Sequence, residues 1–432
     1  MSVEEALEWI HSRLKFNIRP GLSRVEGLLK LLGNPETELS MIHVAGTNGK
    51  GSTVAFTRSI FMQAGLKVAS FTSPFIESFG ERMSINAQAI PDEKLIYYVE
   101  MIQPLVEKMD ADEVLAGITE FEIITAMAFR YFADEKVDLA VIEVGLGGLL
   151  DSTNVITPVV SGITTIGLDH IDILGSTIEE IAAQKAGIIK PGIPVVTGNI
   201  ELKALRVIWE VARKNTARVY QFGYDYKVEL EAAEHFTFQA KQEILPHLEK
   251  SLVGLHQVEN AAMAIELALV YADKVGLNLT EEVIRAGIRE AFWPARMEKL
   301  GEKPLILLDG AHNVHAMTRL LENLKAEFSG RKLTIIFSAI TTKDIQHMIR
   351  MLQTVADSRL ILTTFDYPKA LKLADFEALE DEGVELAPSW QAALVQLKKT
   401  LADDEVLIVT GSLYFSSQVR EFLLENRKTA QL

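Results

Sequence analysis

The chain has no cysteine, which removes disulfides, thiolate metal sites and a cysteine nucleophile together and fits a reducing compartment. Basic residues are in deficit: 43 Lys and Arg stand against 59 Asp and Glu, a formal charge of -16. A nucleic-acid binder needs a basic patch to offset phosphate repulsion, so that class is set aside, and any anionic substrate must be held by local devices. Long apolar runs are missing as well. The longest uncharged segment, residues 152–168, carries several hydroxyls and Pro158, so no membrane span is expected. The first ten residues are acidic and amphipathic, without the basic start and apolar run of a secretory signal, which makes the cytoplasm the expected address.

What is present is a globular composition, 48% hydrophobic and 24% charged, over 432 residues. That length suggests two or three domains of ~150 residues each. From Met41 short β-branched runs (41–46, 67–72, 138–145, 159–167) alternate with helical periodicity, beginning with a helix over 50–64. This alternation predicts a mostly parallel sheet with helices on its faces. Polar and aromatic residues alternate over 219–239, which reads as antiparallel strands appended to the main sheet. Helices over 256–273 and 280–291 follow, and the Pro, Gly and charge of 292–304 mark a boundary. Beyond it the βα alternation restarts. The expected fold class is therefore α/β, with a larger amino-terminal P-loop domain at 1–295 and a smaller Rossmann-like α/β domain at 296–432.

The segment Gly46-Thr47-Asn48-Gly49-Lys50-Gly51-Ser52 follows a strand and opens a helix, the context that a phosphate-binding loop requires. Glycines let backbone N–H groups approach phosphate oxygens, the helix amino end adds positive potential, and Lys50 supplies a full charge. The general GxxxxGK[ST] form is altered: Val44 stands where the first glycine would be, and the hydroxyl, Ser52, comes two residues after the lysine. Alone, this loop leaves kinase, ATPase and ligase open. Glu143 ends the apolar strand 139–144 and would face the cleft at the carboxyl edge of the sheet, where α/β proteins bind ligands.

The run HVAGTNGKGS resembles the loop of the folylpolyglutamate synthase and Mur ligase superfamily, with the ending typical of the folate branch. Further motifs follow in that family's order: Ser73-Pro74-Phe75, Glu81-Arg82, residues 143–154, 167–192, 256–261, 293–298, Asp309 to Asn313, and 410–414. The resemblance implies a Mur-ligase-like first domain and an ATP- and magnesium-dependent ligase, with two magnesium ions. It joins a folate carboxylate to the amino group of L-glutamate through an acyl phosphate. It also implies residue roles. Ser73, Glu143 and His170 are expected as magnesium ligands, and Thr47 to Ser52 with Asn260, Arg296 and Asp309 as the nucleotide site. His312 is expected to help the incoming glutamate. Lys185 is expected to carry a carbamate, which would turn a repelling cation into two oxygen donors suited to magnesium. Phe75, Glu120, Phe121, Glu122, Asp151 and Ser152 are expected on the folate side.

Several residues keep a second reading. Thr119 and Glu122 fit a capping box, Lys185 a helix end, Asp309 an N-cap, and Phe75 a core aromatic. Arg19 to Arg24 is similar to the loop that helps bind dihydropteroate in family members with dihydrofolate synthase activity, so tetrahydrofolate and dihydropteroate are both expected substrates. Leu149 stands where many relatives place an arginine. The alternatives are a Mur-type cell-wall ligase, which usually carries a further amino-terminal domain, and a nucleotide-switch ATPase that would turn over without an amino acid. A monomer without nucleic-acid or membrane partners is the expected state.

Overall fold

A computed structural model describes residues 1–16, 21–75, 78–232, 235–241, 243–295, 297–341, 344–376 and 384–430. The chain divides into two compact units, Met1–Ser251 with Val258–Phe292, and Leu252–Gln257 with Trp293–Leu432.

The first unit is built on strands β1 (Met41–Ala45), β2 (Val68–Phe71), β3 (Met83–Ile85), β4 (Gln88–Ala89), β5 (Leu139–Glu143), β6 (Val160–Ile163), β7 (Val195–Thr197) and β8 (Val219–Gln221). They form one sheet in the order β4-β3-β2-β5-β1-β6-β7-β8. The pairs from β2 across to β8 are all parallel, and β3 alone runs against the rest, pairing antiparallel with β2 on one side and β4 on the other. Every residue of β1, β2, β5 and β6 is buried, as nearly unbroken apolar strands require when helices cover both faces. On one face, Ile123, Ile124, Met127 and Phe132 of helix Glu120–Asp134 join Phe71, Ala140 and Ile142 in a core with the amino-terminal helices. Helix Lys50–Gln63 packs against helix Glu281–Glu290, where Gly287 meets Ile60: a β-carbon there would stand 2.4 Å from the Ile60 Cα. Because β2, β5, β1 and β6 are adjacent and parallel, the loops that follow them emerge along one edge.

The expectation for 219–239 needs correction. Val219–Gln221 joins the main sheet as a parallel edge strand against β7. Antiparallel pairing begins only with β9 (Tyr226–Ala232), β10 (His235–Ala240) and β11 (Ile244–Glu249), which form a three-stranded sheet of their own. Phe236 and Phe238 are fully buried and Leu248 sits with them, so the two-residue period marks a one-sided sheet with its own small core.

The second unit carries β12 (Glu298–Glu302), β13 (Leu305–Leu308), β14 (Leu333–Phe337), β15 (Ser358–Thr363), β16 (Glu385–Ala387) and β17 (Val406–Thr410), in the order β12-β13-β17-β14-β15-β16. Only β12 is antiparallel. The helix expected from Lys343 is seen over Ile345–Gln353, capped by Asp344, while residues 342–343 lie outside the described set. No helix among the described residues is long and apolar enough to cross a membrane.

Candidate nucleotide and metal site

The loop after β1 turns through Gly46 and Gly49 into helix Lys50–Gln63. Gly49 begins that helix at φ +83, a left-handed conformation open to glycine at little cost, and it has no side chain to cap the first amides. Those amides are left for an anion. The space is tight: a β-carbon on Gly46 would stand 1.8 Å from Thr164 Oγ1, and one on Gly49 would stand 2.5 Å from Asn260 Oδ1. Asn260, from helix His256–Val275, therefore lies directly on the loop.

The segment after β6 braces the same loop. Thr47 Oγ1 donates to the Gly167 carbonyl at 3.1 Å and accepts from Gly167 N at 3.0 Å. Thr164 and Thr165 both donate to the Asn48 carbonyl, at 2.5 and 3.1 Å, and Asn48 N donates to Thr165 Oγ1 at 3.0 Å. These threonines carry no role in the sequence reading. The signal was two adjacent hydroxyls directly after the buried strand β6. Gly51 and Ser52 follow on the first helical turn, both buried.

Two lysines converge on one acceptor. Lys50 Nζ donates to the Gly46 carbonyl at 2.9 Å, and Lys185 Nζ donates to the same carbonyl at 3.0 Å. Lys185 sits near the end of helix Ile178–Ala186 and is only 4% exposed. Burial first, and the Lys50 charge second, draw its amine down to about 7.

The next strand ends supply oxygen donors. Glu143 closes β5 in a buried position, and its Oε2 accepts from Ser73 N at 3.4 Å on the loop after β2. Magnesium uses few protein oxygens and keeps water and phosphate as its other ligands, so the Glu143 carboxylate and Ser73 hydroxyl fit such an ion beside a phosphate loop. No group of three or more His, Asp or Glu side chains suited to a metal forms among the described residues. His170 has a left-handed backbone, φ 48, and a side chain 46% exposed, with Nε2 3.9 Å from Asp169 Oδ2. Asp169 Oδ1 accepts from His170 N at 3.0 Å, so this carboxylate shapes the turn.

The residues expected on the folate side fall into two groups. Phe75 and Glu120 meet around Arg82: the guanidinium lies 5.3 Å from the Phe75 ring centroid and 4.0 Å from Glu120 Oε1, while His11 Nδ1 is 2.9 Å from Glu120 Oε2. Phe79 completes the cluster, 6.0 Å from Phe75. His11 and Phe79 had no signal of their own in sequence. Phe121 packs its ring on Gly145, just past Glu143. The other group is committed to holding the chain. Glu122 closes the capping box with Thr119 and forms a buried ion pair with Arg24 at 2.9 Å. Asp151 accepts from Leu146 N at 2.7 Å and Thr153 N at 3.0 Å, which fixes the glycine turn, and Ser152 is buried beside it.

In the second unit Asp309 follows β13, where its Oδ1 accepts from Ala311 N at 2.8 Å and its Oδ2 from Met297 N at 3.1 Å. The N-cap of helix Val314–Glu327 is Asn313, not Asp309. His312 Nδ1 donates to the Gly310 carbonyl at 2.7 Å. Arg296 lies outside the described residues, as do Arg19 and Pro20.

A phosphate loop on the first of two α/β units, with an acid and a hydroxyl at the neighbouring strand ends, defines a nucleotide-using protein of the P-loop class. Family models agree with both units: the Mur ligase middle domain matches residues 98–268 and the Mur ligase glutamate ligase domain matches 295–413. Over 428 residues the chain is 42% identical to the dihydrofolate synthase/folylpolyglutamate synthase of Bacillus subtilis (strain 168), covering 97% of this chain and 99% of that protein. It is 40% identical to the folylpolyglutamate synthase of Lacticaseibacillus casei, covering 98% and 99%. Among solved structures, a folylpolyglutamate synthase complex with AMPPCP and folate superposes with a TM-score of 0.85 at 38% identity, over 98% of this chain and 100% of that one. The Mycobacterium tuberculosis folylpolyglutamate synthase complexed with ADP gives 0.89 at 30% identity, over 98% of each. The chain belongs to the folylpolyglutamate synthase/dihydrofolate synthase family of the Mur ligase superfamily.

Proposed function

We propose that this protein is an ATP-dependent ligase that adds L-glutamate to the γ-carboxylate of folates, and that it also joins dihydropteroate to glutamate. The observation that carries the reading is the braced loop: two lysine amines on the Gly46 carbonyl, Asn260 against Gly49, and Glu143 with Ser73 at the next strand ends. In the reaction the folate carboxylate attacks the γ-phosphate of ATP and releases ADP. The glutamate amine then displaces phosphate from the acyl phosphate, forming the amide and releasing a proton. The chain's own part is placement and charge. Loop amides and Lys50 hold the phosphates, and Phe75, Phe121 and the Arg82–Glu120 pair offer rings and hydrogen bonds to an aromatic acid.

Magnesium, as one or two ions held by Glu143, Ser73 and His170, would neutralise phosphate charge. A carbamate on Lys185 belongs to the same proposal. With its amine drawn to about 7, a large share is neutral at physiological pH and able to attack carbon dioxide, losing a proton, while the remaining N–H still reaches the Gly46 carbonyl. Residues 1–295 would then serve as the ATP-binding domain, and 296–432, with Asp309, Arg296 and His312, as the ligase domain. We place the protein in the cytoplasm as a monomer.

The test uses purified protein with ATP, magnesium and glutamate, and either dihydropteroate or a reduced monoglutamate folate. Product with both substrates is expected. Product with the folate alone removes the dihydropteroate activity, and ATP turnover independent of glutamate would favour a switch ATPase.

A further inference from the structure

The carboxy-terminal helix Leu413–Ala430 begins just past β17 and lays one face on the Asp309 turn. Leu413 sits so close that a β-carbon on Gly310 would stand 2.1 Å from its Cδ2. Ser416 and Arg420, four residues apart and so on the same face, hold two separate pieces of chain. Ser416 Oγ donates to the Asp309 carbonyl at 3.0 Å. Arg420 Nε reaches both carboxylate oxygens of Glu298, at 2.9 and 2.8 Å, in a pair whose side chains are 7% and 9% exposed.

Glu298 passes the constraint on. Its Oε2 accepts from Ala295 N at 2.9 Å, the Ala295 carbonyl accepts from Gly310 N at 2.9 Å, and Asp309 Oδ2 accepts from Met297 N at 3.1 Å. Ala295 and Met297 both have positive φ, 51 and 50. Residues with a β-carbon disfavour that region and keep it only where their surroundings impose it. A buried ion pair is a weak source of stability but can fix geometry. Here it fixes two left-handed residues against the carboxylate of Asp309.

We propose that Arg420 is a positioning residue for nucleotide binding: through Glu298 it holds Ala295 and Met297 in their left-handed conformation, so that Asp309 presents its carboxylate in one orientation. This rests on the reading of Asp309 as a nucleotide-facing residue. Both contacts come from the single Nε, which sits one carbon closer to the helix than a lysine ammonium would, so a lysine at 420 would not place its charge at the same point between the two oxygens of Glu298.

The experiment measures KM for ATP, KM for folate, kcat and affinity for AMPPCP in full-length Arg420→Lys and, as a second variant should that one not fold, Glu298→Gln. Loss of a supporting partner of this kind is expected to raise KM for ATP and weaken AMPPCP roughly tenfold, with KM for folate unchanged. Adding Ala295→Gly to Arg420→Lys should recover about threefold, because glycine takes the positive φ without being held there. Unchanged AMPPCP affinity in both variants, or a loss that glycine does not relieve, overturns the proposal. Asp309→Ala separates the two readings. Weak AMPPCP binding there with normal binding in Arg420→Lys overturns the positioning role alone, and normal binding in both overturns the nucleotide reading together with it.

Discussion

Replacing Lys185 by methionine should cost the enzyme its ligation and make the fold more stable. At pH 6 the folded chain holds a buried ammonium that the unfolded chain keeps in water. The distance between 10.5 and about 7, at ~1.4 kcal/mol per pH unit, bounds that penalty at roughly 5 kcal/mol. Methionine also gives up the charged hydrogen bond to the Gly46 carbonyl, worth about 2 kcal/mol, so the net gain is about 2–3 kcal/mol. In a unit of this size that raises Tm by about 5 °C. The sign follows from the direction of the shift: the folded value lies below the unfolded one, so the penalty is complete below about pH 7 and fades as pH rises toward 10.5. At pH 9 about 2 kcal/mol of it remains, and the hydrogen bond lost there is that of a neutral amine, worth about 1 kcal/mol, so the gain shrinks to about 1 kcal/mol. Calorimetric Tm of both proteins at pH 6 and pH 9 in bicarbonate-free buffer, with ligation assayed in parallel, tests this. A lower Tm at pH 6, or the same gain at both pH values, would refute the account of a desolvated amine.

Gly49→Ala adds left-handed strain of ~1–2 kcal/mol and pushes on Asn260, so KM for ATP should rise at least about tenfold with KM for folate unchanged. An unaltered KM for ATP would count against the loop. Glu143→Gln keeps the shape and removes the charge; its magnesium activation curve should move to higher concentration, and an identical curve would remove the residue from the metal site. Arg24→Leu leaves the buried Glu122 carboxylate without its cation and should destabilise by about 3–5 kcal/mol in urea melts, only part of which Arg24→Leu with Glu122→Met should restore, because methionine also gives up the Thr119 cap hydrogen bonds. A single variant within ~1 kcal/mol of wild type would show that the pair is not a structural ion pair.

The parts of the site legible in sequence are those whose chemistry is local. The phosphate loop needs only a strand, two glycines, a lysine and a helix, and all of these are contiguous at 41–63. The Thr119–Glu122 capping box is local too, and both of its reciprocal hydrogen bonds are present. The same Glu122 also meets Arg24, which no spacing rule connects to it, and Thr164 and Thr165 reach Asn48 only because β6 pairs with β1. The topology of 219–249 was half legible for a related reason. Alternation shows that a strand has one buried face, but whether its partner is parallel or antiparallel is decided by which hydrophobic surface it finds. Val219–Gln221 finds β7, and Phe236 and Phe238 find one another's neighbours.

The negative balance of the chain and its anionic substrates are reconciled by distance. Exposed charges beyond ~8–10 Å are screened at physiological salt, so a formal charge of -16 spread over the surface says little about the few ångströms around Gly46. There the nearest charges are two lysines on one carbonyl. Burial first, and the repulsion from Lys50 second, are what lower the Lys185 amine, and a phosphate beside Lys50 would relieve that repulsion. An ammonium at Lys185 would still oppose magnesium near Glu143, whereas a carbamate would reverse that sign and leave Lys50 as its counterion. Desolvation, which makes the ammonium costly, supplies the neutral amine that such a reaction needs. The same burial that destabilises the fold at this one position thus prepares it for the chemistry proposed there.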